Sequence, residues 1–130
     1  MIILIILSTI IAAISNAIMD KLAHHYKRSI FAKRKNQAWW DPNISWKNKY
    51  KNLDPKQGPK FWGATTIFVF TTDAWHFFKW ILLGMLPVPG SLLVFVLFGQ
   101  AWVALVLAYV GLRGIFALTF HLFYHGVLEE

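Results

Sequence analysis

The hydrophobic positions of this chain fall into long uninterrupted runs rather than short alternating patterns. The first run, residues 1–18, has no charged side chain, and helical spacing continues beyond it to Lys33-Arg34-Lys35. A helix needs roughly 20 apolar residues to cross the hydrocarbon core of a bilayer. The pattern therefore predicts a first transmembrane helix over residues 2–34, whose last turns extend into the cytoplasm.

Two further apolar runs follow, over residues 60–86 and 91–127. The residues between them, Pro87-Val88-Pro89-Gly90, predict a tight external turn. At 1.5 Å of rise per residue, the last run is longer than one crossing needs. We interpret it as a long third helix that projects into the cytoplasm. The alternative is a turn at residues 111–114, after which the last stretch re-enters the membrane.

The segment between the first two runs, residues 36–59, is polar and contains three pairs that break helices, Asp41-Pro42, Asp54-Pro55 and Gly58-Pro59. Trp and Tyr side chains alternate in it with lysines, a mixture typical of a loop that lies against anionic lipid headgroups. Single-strand nucleic-acid binders share this mixture. Its position between two spans favours the lipid surface, and we expect no nucleic-acid partner.

Composition supports a membrane protein and gives it an orientation. The 130 residues are 57% hydrophobic and 15% charged, outside the range of ordinary soluble domains. Of the 13 Lys and Arg residues, all but Lys79 and Arg113 lie in residues 21–60. Positive-inside bias places residues 21–60 and the C-terminus in the cytoplasm and Met1 outside, in an inner or plasma membrane. The predicted fold is an all-α integral membrane protein: one domain, residues 1–130, of three long transmembrane helices with a basic, Trp-rich cytoplasmic loop between helices 1 and 2.

Asp73 and His76 lie one helical turn apart inside the predicted second span. An ionisable group in hydrocarbon is costly, so it normally pairs with another group and marks a site. We predict that Asp73 is buried and bonded to a metal or to at least one of five neighbours: His76, Arg113, Gln100, Asn16 and Asp20. Three helices alone bury little polar surface, and self-association into a homo-oligomer would shield the structural polar residues Asn16, Gln100 and Arg113 from lipid.

Each predicted helix also carries a pair of potential metal ligands on one face, and the chain has no cysteine. Such a set suits zinc, iron or manganese. The predicted metal ligands are His24, His76, His121 and His125, and the predicted catalytic carboxylates are Asp20 and Asp73. A bound metal would activate water against a lipid ester or amide at the cytoplasmic leaflet. A straight third helix from residue 91 would carry the last two histidines roughly 45–50 Å from the outside, too deep to join His76.

Thr72, Asp73, His76, His121 and His125 resemble the hydroxyl, carboxylate and imidazole set of membrane-embedded zinc amidases of the ceramidase and adiponectin-receptor type. The similarity covers these five positions and no flanking sequence, and the chain has fewer than half the spans of those proteins. It does not establish membership of that family. What it implies is zinc-dependent amide hydrolysis.

The polar residues also have non-catalytic interpretations. Asp20 and His24 can cap the cytoplasmic end of the first span, and His121 and His125 can be solvated residues at an exposed helix end. Asp73 can serve as a packing contact between helices. The alternative function is therefore non-enzymatic: an oligomeric channel, carrier or assembly subunit in which Asp73 and His76 relay protons or cations.

Overall fold

The computed structural model describes the backbone of residues 1–126 and the side chains of Met1 and residues 3–118. All regular secondary structure in this part of the chain is helical, which confirms the all-α prediction. Two segments, Ile3–His24 and Ala74–Leu97, are long and apolar enough to cross a membrane. The described residues form six α-helices, which we number α1 (Ile2–His24), α2 (Gln37–Trp40), α3 (Pro42–Ser45), α4 (Ala74–Met85), α5 (Val88–Leu97) and α6 (Trp102–Gly126). Short 3-10 turns lie between α1 and α2 and between α3 and α4.

The predicted cytoplasmic extension of the first helix to residue 34 is wrong, because α1 ends at His24. Two 3-10 turns follow it, Tyr26–Arg28 and Ile30–Lys33, separated by Ser29 in an extended conformation with ψ of 159°. The Ser29 hydroxyl donates to the carbonyl of Tyr26 at 2.6 Å. Serine side chains that bond to nearby backbone in this way compete with helix continuation. The helix itself ends because His25, with φ of −133° and ψ of 26°, lies outside the helical region, and Ser29 then separates the two 3-10 turns.

The chain divides into two compact units, each of which has its own packing. We call residues 11–82 the aromatic unit, and residues 1–10 together with those from 83 onward the hairpin unit. The aromatic unit has a small core of Leu22, Tyr26 and Ala74. The rings and methyl groups packed around this core belong to Ile18, Phe31, Ala32, Trp39, Trp40, Trp75 and Phe78.

Tyr26 holds the start of the 36–59 segment against α1. Its hydroxyl bonds to the side-chain oxygen of Gln37, just before Trp39 and Trp40. Burial raises the pKa of the Tyr26 hydroxyl, and the nearby carboxylate of Asp41 raises it further. The ring of Trp40 stacks on Phe31 at 4.8 Å, so this part of the predicted loop is packed protein structure.

The predicted second helix over residues 60–86 starts much later than expected, at Ala74. The chain departs from the predicted helix at Gly63, whose φ of +78° lies in the left-handed region. The ring of Phe68 covers the place that a side chain at this position would occupy. Turns and a 3-10 turn at Val69–Thr71 follow it. Consequently Asp73 does not lie within a helix but immediately before one.

The predicted external turn at residues 87–90 is also wrong, because helical structure resumes there as α5. Proline is tolerated at the start of a helix, where its missing N–H would have no partner in any case. The hydroxyl of Ser91 bonds to the Pro87 carbonyl at 2.9 Å and leaves no side-chain polar group unpaired at the join. Two prolines in an apolar run therefore marked a helix start rather than a reversal.

The reversal in the hairpin unit lies at residues 98–101, between α5 and α6. Gly99 and Gln100 both have positive φ, +66° and +64°, which is the conformation that ends many helices. The rings of Phe95 and Trp102 pack at 5.0 Å beside the turn. Further along, the Tyr109 hydroxyl donates to the Gly84 carbonyl at 2.9 Å.

The predicted third helix over residues 91–127 is accordingly two helices joined by this turn. The alternative break at residues 111–114 is absent, since α6 continues through it to Gly126. Nothing lies within 4 Å of the position where a side chain would start at Gly111 or Gly114, so these glycines mark no close contact among the described residues.

Candidate functional site

Asp73 is the residue immediately before α4, and nearly all of it is buried, with 2% of its surface exposed. Its backbone carbonyl accepts the N–H of Phe77 at 3.1 Å, and its side-chain Oδ1 accepts the N–H of His76 at 2.9 Å. These two bonds define an N-cap, in which a side chain satisfies a helix N–H that has no partner within the helix. The carboxylate also lies at the positive end of the helix dipole.

The second carboxylate oxygen binds the imidazole of the same residue. Asp73 Oδ2 lies 2.7 Å from His76 Nδ1. Because a carboxylate can only accept, this distance requires a proton on Nδ1 when Asp73 is ionised. Neutral His76 then presents its unprotonated Nε2, a base and a potential metal ligand. The prediction that Asp73 is buried and bonded to one of its neighbours is confirmed for His76.

Thr72 and Asn48 hold the backbone that leads into this cap. The Thr72 hydroxyl donates to the Val69 carbonyl at 2.7 Å and lies 3.4 Å from Asp73 Oδ2. The Asn48 side chain donates to the Thr72 carbonyl at 2.6 Å. Lys60 Nζ in turn donates to Asn48 Oδ1 at 3.0 Å. The basic segment is thus bonded to the residue that precedes the Asp73–His76 pair.

Asn48 was missed by the sequence reasoning. It lies among lysines in the sequence WKNKYK, where an Asn looks like an ordinary loop residue. Only the spatial contact across 24 residues gives it a role. The alternation of lysines around it supplied no signal for that contact.

Asp20 and His24 lie on the outer surface of α1. Their side chains are 66% and 69% exposed, and His24 Nε2 lies 4.0 Å from Asp20 Oδ1. An exposed pair at this distance contributes at most about 1 kcal/mol to stability. Asn16 is exposed as well, because the buried positions of α1 are Ser8, Ala12, Ser15 and Leu22.

The remaining predicted polar residues belong to the hairpin unit. Gln100 is an exposed residue of the turn before α6. Arg113 is half-buried and lines a cavity of about 270 Å³ with Leu83, Gly90 and Phe116 among its neighbours. The structure pairs His24 with Asp20 and His76 with Asp73.

The backbone of His121 and His125 lies in α6, but their side chains are outside the described residues. Among the side chains that are described, no three His, Asp or Glu residues come together as a metal-binding group. The metal site therefore remains a prediction, and of its predicted ligands the structure describes the side chains of His24 and His76.

Comparison with protein-family models, curated proteins and solved structures found no match to this chain. The interpretation of the site accordingly rests on its own geometry.

Substitution of Asp73 separates its role as a helix cap from its charge. Asp73→Ala removes both bonds to His76 and should lower the free energy of unfolding by about 2 kcal/mol. Asp73→Asn should cost less than about 1 kcal/mol, because Asn caps helices as well as Asp does. Thermal unfolding in detergent, followed by tryptophan fluorescence, measures both variants. Asp20→Ala, at an exposed carboxylate, is the control and should leave the Tm nearly unchanged; an equally small effect of Asp73→Ala would contradict the capping role.

Proposed function

We propose that this protein is an integral membrane protein with three crossings: α1, α4 together with α5, and α6. The two apolar segments Ile3–His24 and Ala74–Leu97 support the first two crossings. The third rests on the length of α6, whose 25 residues extend about 37 Å at 1.5 Å per residue. With the basic segment inside, the turn at residues 98–101 faces the outside and the C-terminus the cytoplasm.

We propose that the protein binds a divalent metal ion at the cytoplasmic leaflet, with His76 Nε2 as one ligand. The observation that carries this proposal is the 2.7 Å contact between Asp73 and His76 Nδ1. Histidines that bind metals usually donate their other ring N–H to a carboxylate or carbonyl, which fixes the tautomer and orients the ring. Asp73 supplies that partner and is itself held by the helix start.

Helix length supports His121 and His125 as further ligands. Roughly 30 Å of helix separates His76 from the Leu97 end of its span, and a similar length separates His121 from Trp102. Each length matches the thickness of the hydrocarbon core, about 30 Å. With α6 starting at Trp102 rather than at residue 91, these histidines are expected near the cytoplasmic leaflet instead of deep in the cytoplasm.

A lipid ester or amide is the substrate class that this proposal favours. His76, His121 and His125 would hold the metal, which would supply a water acidic enough for hydrolysis of the carbonyl group. In that hydrolysis the bond from the carbonyl carbon to the leaving oxygen or nitrogen would break, and the leaving group would take up a proton from the water. Asp73 would act as a positioning residue, because both of its oxygens bond to His76. Asp20 is the carboxylate that would accept a proton, and His24, 4.0 Å from it, is the fourth proposed ligand.

Metal content tests the proposal directly. Protein purified without an affinity tag should contain about one zinc, iron or manganese ion per site by elemental analysis. His76→Ala, His121→Ala and His125→Ala should each lose the metal. Asp73→Asn, which keeps the cap, should weaken metal affinity roughly 10- to 100-fold. His25→Ala is the matched control, since this exposed histidine is not among the proposed ligands. Substoichiometric metal that is the same in all variants would remove the proposal.

The absence of cysteine from the chain makes the topology easy to test. A single cysteine at Gln100, in the turn before α6, should react with a membrane-impermeant maleimide added to intact cells. Cysteines at Lys56 and at Pro89 should react only after the membrane is permeabilised or the protein is denatured. Labelling at position 89 but not at position 100 from outside would contradict the proposed crossings.

A non-enzymatic function is the second candidate, as an oligomeric channel, carrier or assembly subunit. The geometry of the helix cap favours this function. Both oxygens of the Asp73 carboxylate bond to His76, so helix capping alone accounts for a buried acidic residue at this position without a catalytic role. The exposed positions of Asp20 and His24 also fit it. Metal-free protein whose proton flux into liposomes falls in Asp73→Asn would establish this function in place of the first.

A further inference from the structure

Arg28 lines two cavities near the end of α1. The first has a volume of about 430 Å³ and is almost entirely apolar, with Ile14, Ala17 and Ile18 along α1. Phe31 and the largely exposed Ile30 form its opposite wall. The second has a volume of about 360 Å³ and is lined by polar and apolar residues in similar measure. An apolar cavity and a mixed cavity thus have Arg28 in common.

Both cavities are lined by cationic residues, and the second also by neutral polar ones. Lys21 lines the apolar cavity beside Arg28. Lys27, His24, His25 and Asn43 line the mixed one. Among the described residues no carboxylate lines either cavity, and the nearby Asp20 lies 4.0 Å from His24 on the exposed surface of α1. The positive charges of Lys21, Lys27 and Arg28 are therefore not matched by a carboxylate that lines either cavity.

We propose that this pair of cavities binds one anionic phospholipid of the cytoplasmic leaflet. One acyl chain lies along Ile14, Ala17 and Ile18, and the phosphate is held between Lys21 and Arg28. The rest of the headgroup occupies the mixed cavity. A guanidinium matches a phosphate with two parallel hydrogen bonds, whereas a lysine adds a point charge.

The location supports this occupant over a soluble anion. Lys21 and Arg28 stand where the apolar run of α1 ends, which is the depth of lipid phosphates if α1 crosses the membrane as proposed. Ile30, 70% exposed within a basic segment, would otherwise place a large apolar side chain in water. The inference rests on that crossing and is independent of metal binding, and the cysteine labelling above tests the crossing separately.

Native mass spectrometry of the full chain in detergent tests the headgroup end. The protein should retain added phosphatidylglycerol more strongly than phosphatidylcholine. Each cationic residue near a membrane surface contributes about fivefold to anionic lipid affinity, so K21Q/R28Q should weaken phosphatidylglycerol retention roughly 30-fold. K33Q/R34Q removes the same charge from exposed residues that line neither cavity and should have little effect. Equal losses in the two double variants would overturn the site in favour of diffuse attraction.

The apolar end is tested by filling it. Ala17→Phe should block the acyl chain and reduce phosphatidylglycerol retention at least tenfold, while Ala13→Phe, one turn earlier on α1 and outside both cavities, should not. Glycerophosphoglycerol, the same headgroup without acyl chains, should bind far more weakly than the lipid. Retention unaffected by Ala17→Phe, or headgroup binding as strong as lipid binding, would show a phosphate site and overturn the lipid proposal.

Discussion

The contact between Asp73 and His76 stands at the junction of two kinds of structure. Before it, the chain from Gly63 to Thr72 forms turns whose backbone groups bond to side chains such as Asn48. After it, the chain is helical through α4 and α5 and apolar enough to cross a bilayer. A helix start leaves N–H groups without partners, and in a membrane no water is present to satisfy them. The carboxylate of Asp73 satisfies one of them and binds the His76 ring at the same time.

This constraint explains why an acidic residue lies at the edge of an apolar run. If residues 60–86 formed one transmembrane helix, as the sequence predicts, Asp73 would be a charge placed in hydrocarbon. As the N-cap of α4 it lies at the start of the apolar segment Ala74–Leu97, where the helix dipole favours negative charge. Because α4 begins at Ala74, His76 lies in the first turn of the helix. Metal binding and helix capping are then compatible roles of one pair, because the cap fixes the ring and leaves Nε2 available.

The sequence allowed the helical class, the first apolar helix and the Asp73–His76 contact to be predicted, since all three follow from local spacing. It misplaced the reversal because Pro87 and Pro89 are stronger sequence signals than Gly99 and Gln100, although prolines are compatible with a helix start. It placed Trp39 and Trp40 against headgroups, whereas they pack on the core around Leu22. Contacts distant in sequence, such as that of Asn48 with Thr72, leave no periodic pattern to read.

The central claim is that Asp73 holds His76 with Nδ1 protonated and Nε2 free. Nitrogen NMR of ¹⁵N-histidine-labelled protein, with His76 assigned by the loss of its signals in His76→Gln, reports the tautomer directly. The account predicts a protonated Nδ1 and an unprotonated Nε2 in the neutral ring, a change of tautomer balance in Asp73→Asn, and a shift of the Nε2 signal when zinc is added. An Nε2-protonated ring that is the same in Asp73→Asn and unaffected by zinc would contradict it.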